Sequence, residues 1–165
     1  MFLDKIFNCI AFLKLNKITV AFAEGATNGL LSEAFSSFAC ADSVFIGSVV
    51  AAKNHMKEYF FNIDSNIIER CGSESSEIAS LMAQNLRSYL DAKICVSVTG
   101  IISDSIVQEP TSPIFIHILF PDSQFSEQVN LTCNGTPIVD QILSRICELI
   151  ITKFGGGCDW PLEVA

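Results

Sequence analysis

Apolar positions recur along this chain at two different periods, and the changes between them mark out helices and strands. Phe2, Leu3, Ile6, Phe7, Ile10 and Leu13 return every three or four residues, which predicts an amphipathic first helix. After Asn16 and Lys17, Ile18 to Ala23 is a short, largely apolar and partly β-branched run, the pattern of a strand covered on both faces. A helix opened by Thr27 or Asn28 follows to about Phe38, with Leu30, Leu31, Ala34 and Phe35 on its apolar face. Ser43 to Ala52 is apolar almost without interruption and predicts a second central strand.

Beyond Lys53 to Lys57, the stretch Glu58 to Arg70 predicts two short helical pieces broken near Asn62 and Asp64. Cys71-Gly72-Ser73 is a turn, and Ser73 or Ser75 caps a helix to about Leu90, in which Ile78, Leu81, Met82, Asn85, Leu86 and Tyr89 keep the 3.6-residue period. Ile94 to Thr99 predicts a third strand, with Thr99-Gly100 at its carboxyl end. Ile101 to Pro113, interrupted by Ser103, Asp104, Ser105 and Pro110, is the longest loop. Ile114 to Phe120 and Phe125 to Leu131 predict two more strands, the latter nearer an edge. Thr136 as N-cap and Pro137 as first helical residue begin the last helix, which Gly155-Gly156-Gly157 ends. The alternation predicts the α/β class: one three-layer α/β/α sandwich over 1–165, around a mixed, mainly parallel sheet of about five strands.

Composition narrows the partners. A net charge of -8 excludes general phosphate-backbone affinity, so nucleic acid is not expected. No run approaches the roughly 20 apolar residues of a membrane span; Val44 to Ala52 comes nearest, broken by Gly47 and Ser48. Asp4, Lys5, Lys14 and Lys17 interrupt the apolar start and argue against a signal peptide, so a cytoplasmic location is expected. With 13 phenylalanines and 50% hydrophobic residues, part of the apolar surface is expected in a homo-oligomer interface. Seven dispersed cysteines without a CxxC pair read as reduced thiols. His55 and His117 lack partners at metal-ligand spacing, so neither metal nor cofactor is expected.

Chemistry concentrates where strands end. Glu24 to Gly29 puts a carboxylate, two glycines, Thr27 and Asn28 at the carboxyl end of the first strand, where ligands of open α/β sheets bind. As a bare pattern the same stretch is an ordinary βα loop. Taken with two others, it resembles the C-terminal domain family of the competence/damage-inducible protein CinA, which includes nicotinamide mononucleotide deamidases. The family's Ala-Glu-Ser-Cys-Thr-Gly-Gly is matched by Ala23 to Gly29, and its Val-Val-Ala-Tyr-Ser-Asn with a following Lys by Val49 to Asn54 and Lys57. Its Gly-Ala-Val-Ser entry to the long helix is matched by Gly72 to Ala79, and its Val-Thr-Gly-Ile by Val98 to Ile101.

The resemblance implies an amidohydrolase site that is degenerate in this chain. The family's serine nucleophile falls on Gly25, its tyrosine on Ala52, and its Gly-Asp-Arg on Gly135-Thr136-Pro137, while Lys57 is retained. Without a nucleophile no acyl group can be carried. The expected function is therefore a CinA-like binding or assembly module; the alternative is an active amidohydrolase using Lys57 and another hydroxyl. Ser48, Thr27 and Cys40 are the other candidate nucleophiles, each also readable as structural. The expected ligand is a nucleotide-like small molecule held by Glu24, Thr27, Asn28, Gly29, Asn54, Thr99 and Gly100, its phosphate on the free amides of the helix that starts at Thr27-Asn28-Gly29.

Overall fold

The computed structural model describes residues 2–102, 113–130 and 136–154. Five strands, β1 (Val20–Glu24), β2 (Phe45–Val50), β3 (Ile94–Thr99), β4 (Ile114–Leu119) and β5 (Gln124–Val129), form one sheet in the order β2-β1-β3-β4-β5. β1 pairs in parallel with β2 and β3, and β4 is antiparallel to both β3 and β5. Four strands therefore run one way and β4 alone the other, a mixed and mainly parallel sheet. Among the described residues six α-helices cover it: α1 (Phe2–Leu15), α2 (Leu30–Ser36), α3 (Asn54–Phe61), α4 (Ser65–Cys71), α5 (Ser76–Tyr89) and α6 (Ile138–Lys153).

The two-residue period of the central strands builds two cores. Val20 and Phe22 of β1 with Ile94, Val96 and Val98 of β3 face α1, α2 and α6. Ala21, Ala23 and Cys95 face the other way, against Phe61 of α3, Ile68 of α4, and Ile78, Met82 and Leu86 of α5. Large residues on one face and alanines on the other let α5 lie close to the sheet. The Phe22 ring meets Phe35 edge-on with centroids 5.2 Å apart, and Phe45 lies 5.3 Å away. At about 0.5–1.5 kcal/mol per aromatic pair beyond area burial, these contacts anchor α2, whose seven residues are too few to hold a helix alone.

Several boundaries fall where the sequence places them. β3 is Ile94–Thr99, and α5 starts after Ser75, whose hydroxyl accepts from the Ile78 amide. The break between α3 and α4 sits at Asn62, in the left-handed region at φ 48, and Asp64, whose side chain caps α4 through the Asn66 amide. Three expectations are corrected. β2 is an edge strand, not a central one: Ile46 and Val50 are exposed, so its apolar run reflects β-branched residues at a border rather than burial on both faces. Neither Thr27 nor Asn28 caps α2; Gly29 holds the N-cap position at φ 93 without a side-chain bond of its own. Pro137 is the N-cap of α6 rather than its first residue. The loop over 103–112 and the glycines at 155–157 lie outside the described residues.

Among the described residues no helix is long and apolar enough to cross a membrane, and no group of histidine, cysteine and acidic side chains could hold a metal. Cys9, Cys95 and Cys147 are buried and unbridged. The Cys147 thiol is pushed well above its ordinary range by its hydrogen bond with Cys9 and by burial.

His117 stands in the middle of β4 between Ser97 of β3 and Ser126 of β5. Its Nδ1 lies 2.6 Å from Ser126 Oγ, while Nε2 is buried without a hydrogen-bond partner. Burial lowers its pKa below the ordinary 6.5. The unfolded chain thus takes up this proton first as pH falls, so stability is full above about 6.5 and declines as pH drops through that value toward the lowered native pKa. Urea midpoints at pH 7.5 and 5.5 should fall further for the native sequence than for His117→Leu. An equal fall in both would remove His117 as the source.

Candidate functional site

Two polar clusters occupy the carboxyl ends of β1 and β3, and the strand period puts them on opposite faces of the sheet. Glu24 follows Val20 and Phe22 in parity and faces α2; Gly25 and Thr99 face the side covered by α3 and α5. The resembled motif is thereby split, with neighbouring residues serving different faces.

On the α2 side the Glu24 carboxylate is fully buried. Its Oε2 accepts from Thr27 Oγ1 at 2.6 Å and from the amides of Gly29 at 2.9 Å and Leu31 at 3.1 Å. Its Oε1 accepts from the Ser32 amide at 2.9 Å and from the Ser32 hydroxyl. The Leu30 amide is bonded to Thr27 O, and the Glu33 amide to Gly29 O. All four opening amides of α2 are therefore satisfied within the chain, and the carboxylate supplies the negative charge that a helix start attracts. The expectation of a phosphate on these amides is corrected: Glu24 fills the place. Thr27 is buried in the same bonds, while Asn28 is exposed, in the left-handed region at φ 50.

On the other side Lys57 of α3 is fully buried. Its Nζ donates to Ser73 O and Ser73 Oγ, both at 2.8 Å, to Glu74 Oε1 at 2.9 Å, and lies 3.2 Å from Thr99 Oγ1. An ammonium has three protons, and four acceptors surround this one. The Glu74 carboxylate also accepts from Ser73 Oγ at 3.1 Å, from the Thr99 hydroxyl, and from the Gly100 amide at 2.6 Å. Ser73 Oγ reaches Asn54 Oδ1 at 2.6 Å. An unpaired buried ammonium costs several kcal/mol, so the Glu74 partner is what lets Lys57 lie here. Gly100 closes the cluster, with φ 146 and a Cβ position only 2.7 Å from Ile114 Cδ1 and 2.9 Å from Pro113 O; only glycine fits.

Asn54, Lys57, Thr99 and Gly100 thus come together as one site, with Gly25 at its border. A Cβ on Gly25 would lie 3.1 Å from Thr99 Oγ1 and 3.4 Å from Val98 O, so a side chain at this position would enter the cluster through Thr99. Ala52 is exposed just before α3. Of the other candidate nucleophiles, Thr27 is bound to Glu24, Ser48 lies half-buried on the β2 edge, and Cys40 has Lys14 Nζ 3.9 Å from its sulfur. Of Gly135-Thr136-Pro137, residue 135 lies outside the described residues. Ser73 and Glu74 are the members that the sequence reading missed. Their one signal in the sequence is a carboxylate just ahead of the long helix, within the stretch 72–79 that resembles the family's entry to that helix.

Comparison with known proteins agrees with this frame. The model of the family described as the CinA C-terminal domain matches residues 6–153. A CinA-like protein of Thermotoga sp. (strain RQ2) is 33% identical over 125 residues, covering 74% of this chain and 30% of the relative. One of Thermosipho melanesiensis is 38% identical over 92 residues, covering 56% and 23%. The chain thus spans less than a third of the length of these relatives. Among solved structures, the competence/damage inducible protein CihA of Agrobacterium tumefaciens superposes with a TM-score of 0.81 at 19% identity, over 92% of this chain and 94% of that one. A CinA superfamily protein of Klebsiella pneumoniae gives 0.81 at 14% identity, over 95% and 99%. At such identities the two structures speak to the fold alone.

Proposed function

The chain belongs to the CinA C-terminal domain family, and from that premise we propose that it has lost amidohydrolase chemistry and works as a binding or assembly module. The observation that carries this reading is the state of Lys57. The family resemblance makes this lysine the base that would activate a serine, yet every proton on its Nζ has an acceptor within the chain, and the serine position holds Gly25. The direct test is ammonia release from nicotinamide mononucleotide by the purified chain. No release above the uncatalysed rate is expected.

One observation favours the rival reading: Thr99 Oγ1 lies 3.2 Å from Lys57 Nζ, a hydroxyl beside an amine. That hydroxyl is fully buried and already donates to Glu74. Turnover abolished by Thr99→Val or Lys57→Ala would establish the rival.

Assembly with further copies of this chain in the cytoplasm completes the proposal, with a nucleotide-like small molecule as the ligand class that the family resemblance implies. Leu3, Leu15, Tyr59 and Tyr89 are each more than half exposed, and Phe7 and Ile46 nearly so. Light scattering at micromolar concentration should give a multiple of the 18.0 kDa chain mass, and a mass of 18.0 kDa would reject the oligomer.

A further inference from the structure

We infer that the Lys57 cluster is a carboxylate-binding cradle that the chain occupies itself, with Glu74 as its built-in ligand. Three kinds of donor converge on one carboxylate: the Lys57 ammonium at 2.9 Å, the Gly100 amide at 2.6 Å, and the Thr99 hydroxyl. Lys57 and Thr99 are fully buried and Gly100 is buried with them, so the donors were desolvated when the chain folded and are held in place by α3 and by the end of β3. Such a preorganised, dry set of donors around a single anion binds carboxylates strongly.

Glu74 differs from the donors in how it is held. It precedes α5 in a short link between Gly72, at φ 81 with open space around its Cβ position, and the Ser75 cap. Its side chain is 21% exposed while that of Lys57 is 0% exposed. The anion therefore arrives from the solvent side, on a segment hinged by glycine, and closes the cluster as a bound acid would. In this chain the cradle is closed to small anionic ligands because its own carboxylate is already in it. The inference goes beyond the loss of chemistry proposed above, and its test reads stability rather than turnover, so either can fail without the other.

Glu74→Ala removes a group the size of acetate and leaves the donors. Thermal unfolding of the native sequence, Glu74→Ala and Glu74→Gln is followed in sodium acetate and in sodium chloride of equal ionic strength. Glu74→Ala should unfold at a lower temperature than the native sequence and should gain stability saturably in acetate, by roughly 3–6 °C at ten times the dissociation constant, and not in chloride. Glu74→Gln, which fills the space with a neutral amide, and the native sequence should show no acetate-specific gain. If Glu74→Ala does not fold in chloride, recovery of folded protein on refolding in acetate upholds the inference, and failure in both salts overturns it. Equal responses of Glu74→Ala to the two salts, or a saturable acetate response of the native sequence, also overturn it.

Discussion

Glu24→Ala is expected to lower the stability of the fold by about 3 kcal/mol or more, which for a chain of this size moves the thermal midpoint down by roughly 6–12 °C. The carboxylate is fully buried and accepts from Thr27, Gly29, Leu31 and Ser32. Alanine leaves the amides of Gly29, Leu31 and Ser32 without acceptors at the start of a seven-residue helix. A helix N-cap alone contributes about 0.5–2 kcal/mol, and each buried donor left unpaired costs about 1–3. Glu24→Gln should lose less, because one oxygen remains, but its amide hydrogens must then face donors. Urea unfolding of the three proteins checks the order. Were Glu24 a residue kept only to touch a ligand, Glu24→Ala would leave the midpoint unmoved in the absence of that ligand.

The second large effect is one that a simple repair should fail to produce. Gly25→Ser restores the family's nucleophile by type, and the backbone at 25 does not lie in the left-handed region. The new Cβ needs a shift of a few tenths of an ångström from Thr99 Oγ1, which is the distance to be made up at 3.1 Å. Loss of the nucleophile in a serine hydrolase costs on the order of 10⁶ in kcat, yet Gly25→Ser should recover almost none of it. The lysine that would take the serine proton is ion-paired with Glu74 and bonded to Ser73, and Ala52 supplies no second hydroxyl. Gly25→Ser with Ala52→Tyr should gain at most a trace. Ammonia release from nicotinamide mononucleotide measures both variants beside the parent, and robust turnover by Gly25→Ser alone would show that Lys57 is free to act as a base.

How far the sequence could be read depended on the range of the signals involved. Ser75 caps α5 three residues before the amide it serves, and Asn62 and Asp64 break α3 from α4 through local conformation; such short-range chemistry is visible in the residues themselves. The cap of α2 is not local in that sense, since Glu24 reaches amides five to eight positions ahead from the end of a strand. No capping rule written on adjacent residues finds it, and Glu24 therefore read as a ligand residue. Lys57 and Thr99 could be matched to motifs, but their partner Glu74 could not. A carboxylate just ahead of a helix reads as a solvated charge near a helix start, and only the packing of α3 and α5 against β3 turns it inward. The border position of β2 was hidden because Phe45 to Val50 has no charge to mark an edge.

That absence of charge also decides what happens when the fold loosens. The other border, β5, exposes Phe125, but Gln124, Ser126 and Gln128 are exposed around it and Glu127 is held by Arg145 through two bonds. β2 has no such guard; its pairing with β1 skips Ile46, a bulge that leaves this side chain outward beside Gly47. An irregular step of this kind is how an apolar edge is kept from receiving a neighbour's strand. Substitutions that weaken the Glu24 anchorage of α2, the helix that packs on β2 and β1, remove the support behind that step. Self-association of the damaged chain should then begin by strand addition at β2, giving extended sheets, while the polar border at β5 stays closed.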